Sequence, residues 1–90
     1  MIKKVIESRT YFCKKLSEMN IKYYESYANF ILIKVRNNRT FVDFLESKNI
    51  FIRDYSHILQ NHCRITIGTK KQMKKVIDSI RRYVEKVSNI

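Results

Sequence analysis

The chain has 90 residues, 44% of them hydrophobic and 12% aromatic, with no tryptophan, no proline and one glycine. That length builds one domain rather than two and buries roughly 60–65% of the unfolded surface. The formal net charge of +11 would attract nucleic acid or an anionic membrane, and it equally describes lysine-rich solvent faces. No window of about 18 apolar residues occurs, so no helical membrane span is expected. Met1-Ile2-Lys3-Lys4 runs into Glu7, Ser8 and Arg9 rather than an apolar signal core, so secretion is not expected. Cys13 and Cys63 fit a reduced, cytoplasmic compartment better than a disulfide framework.

Ile2, Val5, Ile6, Phe12, Cys13, Leu16 and Met19 recur at the spacing of one helical face, so residues 2–19 read as an amphipathic helix that Asn20 stops. Lys22-Tyr23-Tyr24-Glu25 reads as a short strand leading into Ser26-Tyr27-Ala28-Asn29. Phe30 to Val35 is a near-continuous apolar run, which predicts a strand covered on both faces. Asn37-Asn38 offers a turn and a helix cap, and Phe41, Val42, Phe44 and Leu45 mark a short helix over 39–48 that ends near Asn49. Ile50 to Arg53 is the next expected strand, and Asp54 to His62 is polar and aperiodic, hence a loop.

Cys63-Arg64-Ile65-Thr66-Ile67-Gly68-Thr69 alternates as a strand and runs up to the sole glycine. Thr69-Lys70-Lys71-Gln72 has the form of a capping box, a hydroxyl followed three residues later by a side-chain amide. Met73, Val76, Ile77, Ile80, Val84 and Val87 then describe an amphipathic helix of about five turns. The order α-β-β-α-β-β-α predicts a two-layer α+β domain over residues 1–90, a small, mostly antiparallel sheet with helices on one face.

Within that pattern Arg64 is the residue that demands an explanation. It lies on the strand face opposite Cys63, Ile65 and Ile67, and a charge in a strong strand is costly to bury without an anion. Its planar fork suits a carboxylate or phosphate bidentately. The bland alternative is a surface arginine paired with Asp54 or Glu25. Arg53, at the end of its strand, is a second candidate for the same anion, or simply a solvent-exposed strand end.

Three blocks of this sequence resemble one family. Ser26-Tyr27-Ala28-Asn29-Phe30-Ile31-Leu32-Ile33 is similar to the S-x-A-N-F-hydrophobic strand of the histidinol-phosphate aminotransferase branch of class I/II pyridoxal-phosphate enzymes. Asn49-Ile50-Phe51-Ile52-Arg53-Asp54 resembles its G-I-x-hydrophobic-R strand, with Asn49 in place of the glycine. Cys63 to Thr69 resembles its hydrophobic-R-I-T-hydrophobic-G-T strand. The resemblance implies the C-terminal small domain of an aminotransferase, with threonine-phosphate decarboxylases sharing the layout. It implies that Arg64, Arg53 and Asn29 bind the carboxylate or phosphate of a small anionic substrate. It further implies pyridoxal phosphate in the intact enzyme, held by a separate large domain of what would be a homodimer serving amino-acid biosynthesis. No catalytic residue and no cofactor binding by this chain alone are expected, because nothing here matches the family's Ser-x-x-Lys surroundings of the Schiff-base lysine. A piece of a longer or split enzyme is the corresponding expectation.

Other chemistries read less well. His57, His62 and Cys63 fit no zinc spacing, so no metal site is expected. Cys13 sits on the apolar helix face as packing, and the carboxylates show no pairing for acid–base work. Lys70, Lys71, Lys74, Lys75, Arg81, Arg82 and Lys86 load one helix, and Lys3, Lys4, Lys14 and Lys15 another. A basic nucleic-acid-binding module is the rival that this charge supports, but no RNP-like aromatic strand and no GXXG loop accompany it. A non-catalytic interaction domain is the third reading.

Overall fold

A computed structural model describes residues 2–25 and 29–87. In chain order it holds α1 (Ile2–Glu18), β1 (Tyr23–Glu25), β2 (Phe30–Lys34), α2 (Asn38–Glu46), β3 (Arg53–Asp54), β4 (His62–Thr66) and α3 (Lys70–Val87). The α+β order is the one expected. All strand pairs are antiparallel and the sheet order is β1-β2-β4-β3. The strand that carries Arg64 is therefore internal, with β2 on one side and the two-residue β3 on the other.

Alternation along β2 and β4 decides where the core lies. Ile31 and Ile33 of β2 and Cys63 and Ile65 of β4 are fully buried, and they share a cluster with Phe12 and Leu16 of α1, Phe41 and Leu45 of α2, and Ile77 and Ile80 of α3. Tyr83 of α3 meets Phe41 edge-on, with ring centroids 5.1 Å apart. Side chains of this size contribute about 1.5–3 kcal/mol each when fully buried. Ile67, just past β4, is also buried, so Cys63, Ile65 and Ile67 all face the core.

Helix ends follow the expected chemistry. Asn37 caps α2, its side chain accepting from Thr40 N at 3.0 Å. The capping box at α3 is reciprocal: Thr69 N donates to Gln72 Oε1 at 2.8 Å and Gln72 N to Thr69 Oγ1 at 3.1 Å. Gly68 makes room for it, since a β-carbon there would overlap Gln72 Oε1. Asn20 and Asn49 end α1 and α2 with φ of 59° and 62°. Each sits in a Schellman pattern, with Ile21 N donating to Leu16 O and Ile50 N to Leu45 O, both at 2.9 Å.

Some expectations need correction. The run from Phe30 to Val35 is not covered on both faces by this chain: Phe30 and Leu32 are only half-buried and Lys34 is exposed, because all three helix cores gather on the opposite side. The strand expected over Ile50–Arg53 shrinks to Arg53–Asp54. The Ile50 amide is already used in closing α2, and Phe51 stands 76% exposed, so pairing begins only at Arg53. Ile6, expected on the apolar stripe of α1, is exposed. Ser26, Tyr27 and Ala28 lie outside the described residues.

Candidate anion-binding site

Register places the two arginines face to face. Arg53 of β3 is opposite Arg64 of β4, Arg64 is opposite Leu32 of β2, and Leu32 is opposite Tyr24 of β1. Directly opposed residues of an antiparallel pair share one face, so this row runs across the sheet on the side away from the helices. Phe30, Lys34, His62 and Thr66 flank it by the same parity.

Two like charges opposite one another destabilise a strand pair unless something offsets them. Among the described residues no carboxylate is bridged to either arginine; Glu18, Asp43 and Asp78 pair instead with Lys15, Arg39 and Arg81. Neither Asp54 nor Glu25 is bridged to Arg64. The Arg64 guanidinium carbon lies 5.0 Å from the Phe30 ring centroid, a cation–π contact that fixes the fork without neutralising it. Its Nε is buried with no hydrogen-bond partner. A buried donor without an acceptor costs about 1–3 kcal/mol, a cost that an oxygen acceptor at Nε would remove.

Both arginines line a cavity of about 320 Å³, together with Asp54, Tyr55, His57 and Ile58. Asp54 is occupied elsewhere: its Oδ1 accepts from Ser56 N at 2.9 Å and from Asn38 Nδ2 at 2.8 Å. Hydrogen bonds from Ser56 hold its carboxyl below the usual carboxylate range, with smaller help from Asn38 and the charge of His57. Asn38 Nδ2 also donates to the His62 carbonyl at 2.6 Å. This one amide therefore ties the first turn of α2 to both β3 and β4, and holds Arg53 opposite Arg64 against their repulsion.

Asn29 is exposed, and its carbonyl accepts from Ile67 N at 2.8 Å. It is not among the residues lining the arginine cavity. His62 is 5% exposed. Its Nδ1 lies 2.8 Å from the Gln60 carbonyl, which only accepts, so Nδ1 carries the proton and Nε2 is left without a partner. The His62 ring tilts against Tyr24 at 5.5 Å. Sequence reasoning weighed His57 and His62 only as metal ligands. The position of His62 two residues before Arg64 was the available signal that both share a face. No comparable signal placed His57, because a loop path is not periodic. Among the described residues no group of three His, Cys, Asp or Glu side chains could hold a metal ion.

The cysteines are buried and free. Burial pushes the Cys63 thiol up to about 12, with Asp54 adding to it. Burial also raises Cys13 to about 11, with Glu25 adding its charge.

Residues 1–80 match the model of aminotransferase class I and II. The chain is 48% identical over 62 residues to a dihydroxyacetone phosphate transaminase of Campylobacter jejuni, covering 69% of this chain and 17% of that protein. It is 40% identical over 82 residues to a histidinol-phosphate aminotransferase of Ruminiclostridium cellulolyticum, covering 88% and 23%. It thus spans less than a quarter of the length of either relative. Among solved structures, the histidinol-phosphate aminotransferase of Clostridium acetobutylicum superposes with a TM-score of 0.82 at 20% identity, over 92% of this chain and 27% of that one. An aspartate aminotransferase of Thermotoga maritima superposes with a TM-score of 0.82 at 21% identity, over 94% and 24%. These two likenesses show the fold. Family match and sequence relatives together establish that this chain belongs to the class I and II aminotransferases and corresponds to a fraction of the length of such an enzyme.

Proposed function

We propose that residues 1–90 form the C-terminal small domain of a histidinol-phosphate aminotransferase-like enzyme and act as its substrate clamp. The observation that carries this reading is the pair of arginines in register, one with a buried unpartnered Nε and neither bridged to a carboxylate among the described residues. Arg64 takes the acidic group of the substrate on a planar fork, and Arg53 adds a second charge, an arrangement suited to a dianionic phosphate. Asn29 joins them only through the family resemblance. The relatives' names point to phosphorylated substrates, dihydroxyacetone phosphate in one case and histidinol phosphate in the other.

Family membership implies pyridoxal phosphate in the intact enzyme, which supplies the electron sink for amino transfer. No lysine is among the described residues that line the arginine cavity. Their part is to hold and orient. Fixing the substrate's anionic end on a rigid internal strand sets the angle at which its other end meets the large domain. Closure of this open sheet face onto that domain excludes water from the cleft. Half-buried Phe30 and Leu32 provide the apolar surface that such a closure covers.

The test is Arg64→Ala in the complete enzyme. The expected result is a KM raised at least about tenfold, close to 1.4 kcal/mol of binding, with the cofactor's absorbance unchanged. An unaltered KM removes Arg64 from the site.

A further inference from the structure

We propose that His57 is a third contact for the anion held by Arg53 and Arg64, and that the cavity takes up a proton there when it binds a dianionic oxyanion group. The proposal rests on the reading of the two arginines as an anion site and adds a residue and a proton to it. His57 lines the same cavity of about 320 Å³ as Arg53 and Arg64, on the loop that joins β3 to β4.

That loop has a defined path. Asp54 Oδ1 accepts from Ser56 N, Ile58 N and Leu59 N both donate to the Tyr55 carbonyl, and Tyr55 N donates to the His62 carbonyl. The Tyr55 ring backs the imidazole, with centroids 5.8 Å apart. The His57 ring is therefore presented to the cavity by a hydrogen-bonded turn and an aromatic neighbour.

The charges around it give the switch its sign. Arg53 on β3 and Arg64 on β4 face the cavity, Asp54 and Tyr55 flank the imidazole on its own segment, and Ile58 completes the wall. A dianion seated between the arginines brings negative charge beside the imidazole and favours its protonated form. Imidazole is the side chain that ordinarily changes charge between about pH 5 and 8. Linkage then requires that whatever raises the proton affinity of His57 on binding must also tighten binding as pH falls.

Sulfate is the probe of choice, because it stays a dianion across this range and adds no titration of its own. It is titrated into the chain at constant ionic strength and followed by amide chemical shifts, at about pH 6 and about pH 8. The expected result is sulfate affinity at least about threefold tighter at the lower pH, and equal affinities at both in His57→Gln. A wild-type affinity that does not change with pH overturns the proposal, as does a His57→Gln variant that keeps the wild-type ratio. In either case sulfate binding that disappears in Arg64→Ala leaves the arginine reading standing. Absence of sulfate binding at both pH values removes the arginine reading and the proton switch together.

Discussion

Arg64 and Cys63 are neighbours with opposite fates, and strand alternation is the reason. Cys63 is fully buried against the helices, whereas Arg64 emerges on the open face. The thiol consequently loses its solvent and its pKa rises, while the guanidinium lacks an acceptor at Nε. Thiolate is the species that reacts with alkylating reagents. Cys63 and Cys13 should therefore stay unmodified by iodoacetamide at about pH 8 for a time in which the denatured chain reacts at both positions. Rapid labelling of either thiol in the folded chain contradicts the burial described here. The direction of both side chains was legible from the alternation of Cys63-Arg64-Ile65-Thr66-Ile67. That Arg53 would stand opposite Arg64 was not, because pairing partners depend on where β3 begins, and the sequence signal over Ile50–Ile52 pointed to an earlier start.

At the scale of elements, the helices were legible almost to the residue, since each is bounded by local chemistry. Asn37 accepts from the first turn of α2, Thr69 and Gln72 close the first turn of α3, and asparagines terminate α1 and α2. Asn49 stands where the family resemblance expects glycine, and its φ of 62° shows why. A left-handed residue costs about 1–2 kcal/mol for an ordinary side chain and less for asparagine or glycine. Asn49→Ala should lower stability in chemical denaturation by about 1 kcal/mol, with Asn49→Gly close to neutral or stabilising. Equal losses in the two variants contradict the assignment of the left-handed turn as the cause. The short strand was harder to read for the same reason that the turn is firm. Ile50 spends its amide on α2, so an apolar stretch of strand-like composition is diverted into a helix terminus. This is a tertiary demand that propensity does not report.

For the whole molecule, one sheet face is committed to the helices and the other is left open by the described residues. The helical face is nearly dry, with Ile31, Ile33, Cys63 and Ile65 at 0–1% exposure. The opposite face mixes Tyr24, Phe30 and Leu32 with Arg53, Arg64 and a buried, half-satisfied His62. The expectation of cover on both faces for β2 read the apolar run correctly as a surface that wants burial. It failed for this chain because the chain has only enough helix for one side. The basic outer faces fit the bland account of the charge: Lys70, Lys71, Lys74, Lys75, Arg81, Arg82 and Lys86 are all exposed on α3, as an amphipathic helix requires.

The central claim is that the opposed guanidiniums are built to hold an anion, and the Nε–H resonance of Arg64 reports on it directly. Inorganic phosphate added to the chain should shift that resonance along a saturable curve, and Arg53→Ala should weaken the apparent affinity by at least about threefold. An Arg64 Nε–H signal that stays in place while phosphate reaches concentrations that perturb the exposed lysines of α3 would contradict the account.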